Sequence, residues 1–319
     1  MPAILTFERT LCDAGYEWVP ADQWNVVDGQ RFSNLVQPRW LVRQPWNPLG
    51  DQTPRLLLRP KGDSGYRTVY PTVEDSGLFR NFAALEPTPE SIVQFAGRLG
   101  TLWEAMVGEP FHEWEFEIRT MRFLVEVWDA AETGRTAAIA KHFKINRAGR
   151  VAYPFADTIL DYRPFRSLER ATALEAGDYT EAASGKPVAV ARSYVVDAVN
   201  RRLNAIGARL ELDRFEMPYR LVMQPNNLLG ALWLQFALSI SERKRYQSCE
   251  ACGRYMELSP EVNRADRRYC GNACRNRALR RRQKKALEMR ESGKSLREIA
   301  KATGSDIDII KKWLATQEE

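Results

Sequence analysis

Four of the five cysteines in this 319-residue chain lie close together, at Cys249, Cys252, Cys270 and Cys274. The pattern reads C-x2-C-x17-C-x3-C. Two close pairs joined by a loop of this length suit a tetrahedral site with four thiolate ligands. Each pair spans one edge of the tetrahedron, and the loop brings the two edges together. One zinc ion is the expected occupant. Four thiolates leave it no open position, so its role is structural and not hydrolytic. A disulfide reading is disfavoured in a reducing compartment, and redox CxxC chemistry would need a thioredoxin-like βαβ context that the sequence lacks. Cys12 stands apart and reads as a small buried hydrophobe.

The residues around the cysteines suggest how such a site is built. Gly253, directly after Cys252, permits the tight backbone turn of a zinc knuckle. Residues 255–258 read as a short strand, Ser259-Pro260 as a break and residues 267–269 as the returning strand. Beyond Cys270 the chain becomes helical, which puts Cys270 and Cys274 at a helix start, four apart and on one face. Knuckle, hairpin and helix together describe a treble-clef-like finger over about 245–285.

Charge is concentrated in the same region. The net charge of +6 is modest, but residues 241–319 hold 20 Lys+Arg against 12 Asp+Glu, whereas residues 1–240 hold 27 against 29. Between Arg264 and Lys285 there are ten basic residues and one acid, Asp266. The helix after Cys274 carries Arg275, Arg277, Arg280, Arg281, Arg282, Lys284 and Lys285. A dense Lys/Arg face is what phosphate neutralisation requires; a solvated helix face is the plainer alternative.

The segment 286–319 adds a second motif. Ser295 followed by Glu298 is a capping box, and a further helix beginning near Ser305 or Asp306 carries Ile307, Ile310, Trp313 and Leu314 at helical spacing. Ala300 lets the two helices approach, Gly304 takes the turn, and Ile310 and Trp313 seal the core. Residues 285–316 resemble the helix-turn-helix of resolvase/invertase-type DNA-binding domains. That resemblance makes the last helix the recognition helix, with Lys311 and Lys312 on it. Asp306 and Asp308 in its first turn repel phosphate, although Asp can accept from cytosine N4, so a protein-contacting helix-turn-helix is the alternative.

The larger N-terminal part, about 1–240, reads as a helix-rich mixed domain of the α+β class, irregular or β-leaning over its first 85 residues. Trp18, Trp24, Trp40 and Trp46 lie in that first stretch. Helices are expected from Thr88-Pro89 onward, over 116–131, over 188–206 and after Asn226-Asn227; hairpins are expected at 142–153 and 210–223. The apolar run 228–240 is broken by Gln235 and is too short to span a membrane. The absence of a signal-peptide layout makes the cytoplasm the expected location. No P-loop, GxGxxG, GxSxG or HExxH motif appears, so no catalytic role is expected. His112-Glu113-Trp114-Glu115 reads as a polar helix entry, and Glu113, Glu115 and Glu117 alternate along the same segment.

A family resemblance rests on Pro225-Asn226-Asn227-Leu228-Leu229, Arg245, Cys249, Cys252-Gly253, Arg268-Tyr269-Cys270 and Cys274-Arg275-Asn276-Arg277. These residues resemble bacterial CGNR-type zinc-finger proteins, in which an ABATE-like N-terminal domain runs into the finger. Arg275 stands where that family has Gly, and three residues rather than four separate the last two cysteines. The resemblance implies a zinc-dependent DNA-binding transcriptional regulator. The N-terminal domain would then sense a ligand or oligomerise, a homodimer included. An RNA-binding finger, with Tyr246, Tyr255 and Tyr269 stacking on bases, and a protein-interaction module are the rival readings.

Overall fold

Chain contacts divide the computed structural model into Met1–Arg243 and Lys244–Glu319. It describes residues 7–20, 56–62, 65–71, 75–103, 108–142, 144–145, 151–152, 187–203, 206–211, 220–258 and 266–315. Both units mix helices with small antiparallel sheets.

The first unit opens with strands β1 (Arg9–Cys12), β2 (Tyr16–Pro20), β3 (Leu56–Pro60), β4 (Tyr66–Val69) and, later in the chain, β5 (Glu109–Pro110). β1 pairs with β4, and β3 lies between β2 and β5, all antiparallel. Trp18 donates to the carbonyl of Pro89 at 2.8 Å; Trp24, Trp40 and Trp46 fall outside the described residues. The helices are α1 (Leu78–Ala83), α2 (Pro89–Leu99), α3 (Phe111–Glu132), α4 (Thr136–His142), α5 (Pro187–Leu203) and α6 (Leu228–Ser241). Two of their starts follow directly from capping chemistry. Thr88 accepts from the Ser91 amide, with Pro89 at the first helical position, and Asn227 accepts from the Gly230 amide at 2.8 Å. The hairpin β6 (Lys144–Ile145)–β7 (Val151–Ala152) falls within the expected 142–153, whereas β8 (Ile206–Glu211)–β9 (Arg220–Pro225) starts four residues before the expected 210, at a residue expected to end the preceding helix; their turns lie outside the described residues.

α3 is the spine. Trp114, Ile118 and Met121 recur at helical spacing and are fully buried with Phe79, Phe82 and Ile92. α6 is apolar all round because it is enclosed, with Leu228, Ala231, Leu232 and Phe236 fully buried. Gln235, the residue that interrupts its apolar run, is buried and satisfied on both sides. It accepts from the Phe79 amide at 3.0 Å and donates to the Asp75 carbonyl at 3.0 Å, which fastens α1 beside the stacked Phe79–Phe236 pair. Among the described residues, no helix is long and apolar enough to cross a membrane.

The alternating acids divide by face. Glu115 pairs with Arg119 near the surface at 2.6 Å, whereas Glu113 and Glu117 are buried one turn apart. Arg202 of α5 bonds Glu117 at 2.5 Å. Burial first, then the Glu117 charge, pushes the Glu113 carboxyl up to about 7 against the pull of Arg202. The folded chain therefore holds a proton that the unfolded carboxyl releases above about pH 4.3. The stability contributed by that proton is complete below the unfolded value and is lost as pH rises through about 7. Between pH 5 and 8 the native chain should lose about 2–3 kcal/mol more than Glu113→Gln does, measured by denaturant melts. Glu109 also sits near 7 through burial, but it titrates alike in both proteins. Identical pH profiles would show that Glu113 does not carry the proton.

The second unit begins with a hairpin, β10 (Tyr246–Ser248) against β11 (Tyr255–Glu257), followed by α7 (Asn272–Glu291), α8 (Leu296–Thr303) and α9 (Ile307–Ala315). Here the sequence expectation is corrected. Residues 267–269 are not the returning strand; β11 pairs with the segment before Cys249, so the knuckle itself forms the tip of the hairpin. Ser295 and Glu298 form the reciprocal capping box, and Gly304 ends α8 in the left-handed region at φ 60°. Ala286, Ile299 and Ile310 are the fully buried centre where α7, α8 and α9 meet, with Met289, Leu296, Trp313 and Leu314 packed around them.

Candidate metal centre and basic helix

The knuckle is shaped by its backbone. Gly253 adopts φ 75°, and its amide donates to the Cys249 carbonyl at 2.8 Å while the Cys249 amide donates to Arg254 at 2.8 Å. A side chain at residue 253 would strain this turn, which is why glycine suits it. The second ligand pair is delivered by the start of α7. Cys270 precedes the Gly271 N-cap and Cys274 lies in the first turns. Two contacts clamp the connecting loop to the knuckle. Arg268 donates both to Glu250 Oε1 at 2.6 Å and to Oε2 at 2.7 Å, and the Glu250 amide donates to the Arg268 carbonyl at 3.1 Å. Those side-chain bonds hold the Glu250 carboxyl below the usual carboxylate range.

All four sulfurs lie within 4.8 Å of one another, with Cys252–Cys270 at 3.6 Å and Cys270–Cys274 at 3.5 Å. Tetrahedral thiolates about 2.3 Å from one ion stand roughly 3.8 Å apart, so the cluster has the dimensions of a metal site. Among the described residues no other group of three or more His, Cys, Asp or Glu side chains is placed to hold an ion, and the His112 segment is helical. The thiols also have the electrostatics of a ligand set. Burial raises Cys249, but amides of Cys270, Ala251 and Cys252 outweigh it and bring the thiol down to about 6. Burial and the neighbouring sulfurs push Cys270 up. A first thiolate forms readily and further ones repel it, a conflict that a divalent cation removes. Cys12 is buried in the other unit and donates to Gly62 at 3.3 Å, as a structural thiol does.

The basic residues of α7 divide by face. At 100° per residue, Arg277, Arg280, Arg281 and Lys284 fall within one sector of about 100°, and all four are exposed. Arg275 is exposed at the helix start and bonds Asn272. Lys285 is spent on structure, donating to the Ala302 carbonyl at 3.1 Å at the end of α8. Arg282 faces inward and is half-buried. On α9, Lys311 and Lys312 are exposed, and Lys311 lies 3.3 Å from Asp308. The inward turn of Arg282 was legible in the 3.6-residue period of α7, which puts it about 40° from the buried Ala286; the Lys285 bond to α8 has no such local signal. Of the tyrosines, Tyr246, Tyr255 and Tyr269 are half-buried, and Arg268 covers the Tyr269 ring at 6.0 Å. No protein-family model, curated protein or solved structure matches the chain.

Proposed function

We propose that this chain is a zinc-dependent DNA-binding protein that acts as a transcriptional regulator. The observation that carries the reading is the exposed sector of Arg277, Arg280, Arg281 and Lys284 on a helix whose first turn bears Cys274 and which directly follows Cys270, two of the four clustered cysteines. Zinc, held by Cys249, Cys252, Cys270 and Cys274, would fix the start of α7 against the knuckle, in the order of a treble-clef finger. The outer face of α7 would then lie along the duplex backbone. α8, Gly304 and α9 have the order of a helix-turn-helix and would sit near a groove, although Asp306 and Asp308 limit what α9 gains there. Met1–Arg243 would tune occupancy by sensing a ligand or by homodimerising, as the resemblance to CGNR-type regulators implies, with no catalysis assigned to it. A reducing cytoplasm would keep the thiols available to the metal.

Phosphate contacts would supply most of the affinity and little of the specificity. Neutralising about four phosphates gives a slope of log affinity against log salt near −3.6, or a loss of about 100-fold between roughly 50 and 200 mM. Fluorescence anisotropy of a labelled duplex titrated with the full chain measures this. A flat salt response would remove the backbone-binding step.

A further inference from the structure

A cleft of about 540 Å3 opens between α7 and the α8–α9 pair, lined by Leu279, Ala300, Ile309, Trp313, Arg282 and Lys301. Ile309 is 41 % exposed, and among the described residues it is the one large hydrophobic side chain of Lys244–Glu319 so open to water. It stands on the outer side of the helix that a DNA-binding reading would aim at a groove, next to Asp306, which also lines the cleft. The aliphatic parts of the wall offer nothing to the polar edge of a base. They suit an apolar anchor side chain.

The cations of the cleft complete the description. Arg282 holds its Nε buried without a hydrogen-bond partner. Among the described residues neither Arg282 nor Lys301 is within ion-pair distance of a carboxylate; Glu250, Asp308, Glu288 and Glu298 pair with Arg268, Lys311, Lys284 and Lys294 instead. A carboxylate arriving beside Leu279 and Ala300 would meet Lys301 and also Arg282, which acts on Glu250 only through space.

We propose that this cleft docks an acidic amphipathic segment of a partner protein. An aliphatic or aromatic anchor enters between Leu279, Ile309 and Trp313, and an acidic residue one helical turn away meets Arg282 and Lys301. Arg282 lies about 150° round α7 from the centre of the Arg277–Lys284 sector, so cleft occupancy leaves that sector uncovered. The Ile309 side of α9 thereby reads a partner protein.

The test is selection of a phage-displayed library of random peptides, about 12 residues long, on the metal-loaded full chain. The same selection runs on Ile309→Glu and Lys301→Glu, exposed positions at which folding is not at stake. Enriched peptides should be net acidic, with apolar residues three or four apart. A synthetic copy of the most enriched one should bind each variant at least about tenfold more weakly than the wild type. No enrichment, a basic or uncharged consensus, or equal affinity for Ile309→Glu would overturn the proposal. So would loss of binding to a single-stranded oligonucleotide in Ile309→Glu without loss of the peptide, which would make the occupant a nucleic acid strand.

Discussion

Stripping the metal, by a chelator or by Cys274→Ser, is expected to unfold the knuckle, the hairpin and the first turn of α7. Three-residue strands do not hold themselves together. Among the described residues around the cysteines the buried side chains are few: Met256, Glu257, Cys249 and Cys274 themselves. The centre formed by Ala286, Ile299 and Ile310 belongs to the far end of α7 and to α8 and α9, and it cannot substitute. Four-thiolate zinc sites contribute of order 10 kcal/mol to the folding of small fingers, more than this hairpin could supply by burial. Hydrogen exchange should show protection collapsing over β10, β11 and the first turn of α7, and persisting in α8, where Ile299 anchors the helix. Inductively coupled plasma measurement should return one zinc per chain before stripping and none after. Protection that survives in the metal-free hairpin would mean that packing, not metal, holds the finger.

Reversing the outer sector of α7 is the second large effect. The combined variant Arg277→Glu, Arg280→Glu, Arg281→Glu and Lys284→Glu removes four cations and puts four anions in their place. At about 1 kcal/mol for each screened pair near 4 Å in water, the loss of duplex binding should approach a thousandfold. Exposed side chains on a helix can change sign without exposing a core, so far-ultraviolet circular dichroism should match the wild type. Reversal of Lys311 and Lys312 should cost less than about tenfold, because Asp308 already offsets Lys311 at 3.3 Å. If the two variants lose affinity equally, the contact is diffuse and α7 has no special part in it.

What the sequence makes legible is local chemistry. Ser295 with Glu298, Thr88 with Pro89 and Asn227 before its apolar run each state a helix start, because the capping atoms are a few residues apart. The cysteine spacing states the cluster for the same reason. Long-range choices are less visible. The strand beside β11 could come from either side of the knuckle, and only pairing decides that it is residues 246–248 and not 267–269. α1 is six residues long, has no side-chain cap and owes its place to Gln235, 156 residues away. α3 begins at Phe111, five residues before its expected start, because Pro110 closes a strand and opens the helix at once. Buried Glu117 is bonded by Arg202, 85 residues away, which no local pattern connects to it.

The central claim is that a metal-bound cysteine cluster organises a basic helix for duplex DNA. Its most direct measurement is the affinity of the full chain for a labelled duplex of about 20 base pairs, metal-loaded and metal-stripped, at several salt concentrations. The account predicts binding by the loaded chain with a log–log slope near −3.6, and at least about tenfold weaker binding once the metal is gone. Equal affinity and equal slope in the two states would contradict it.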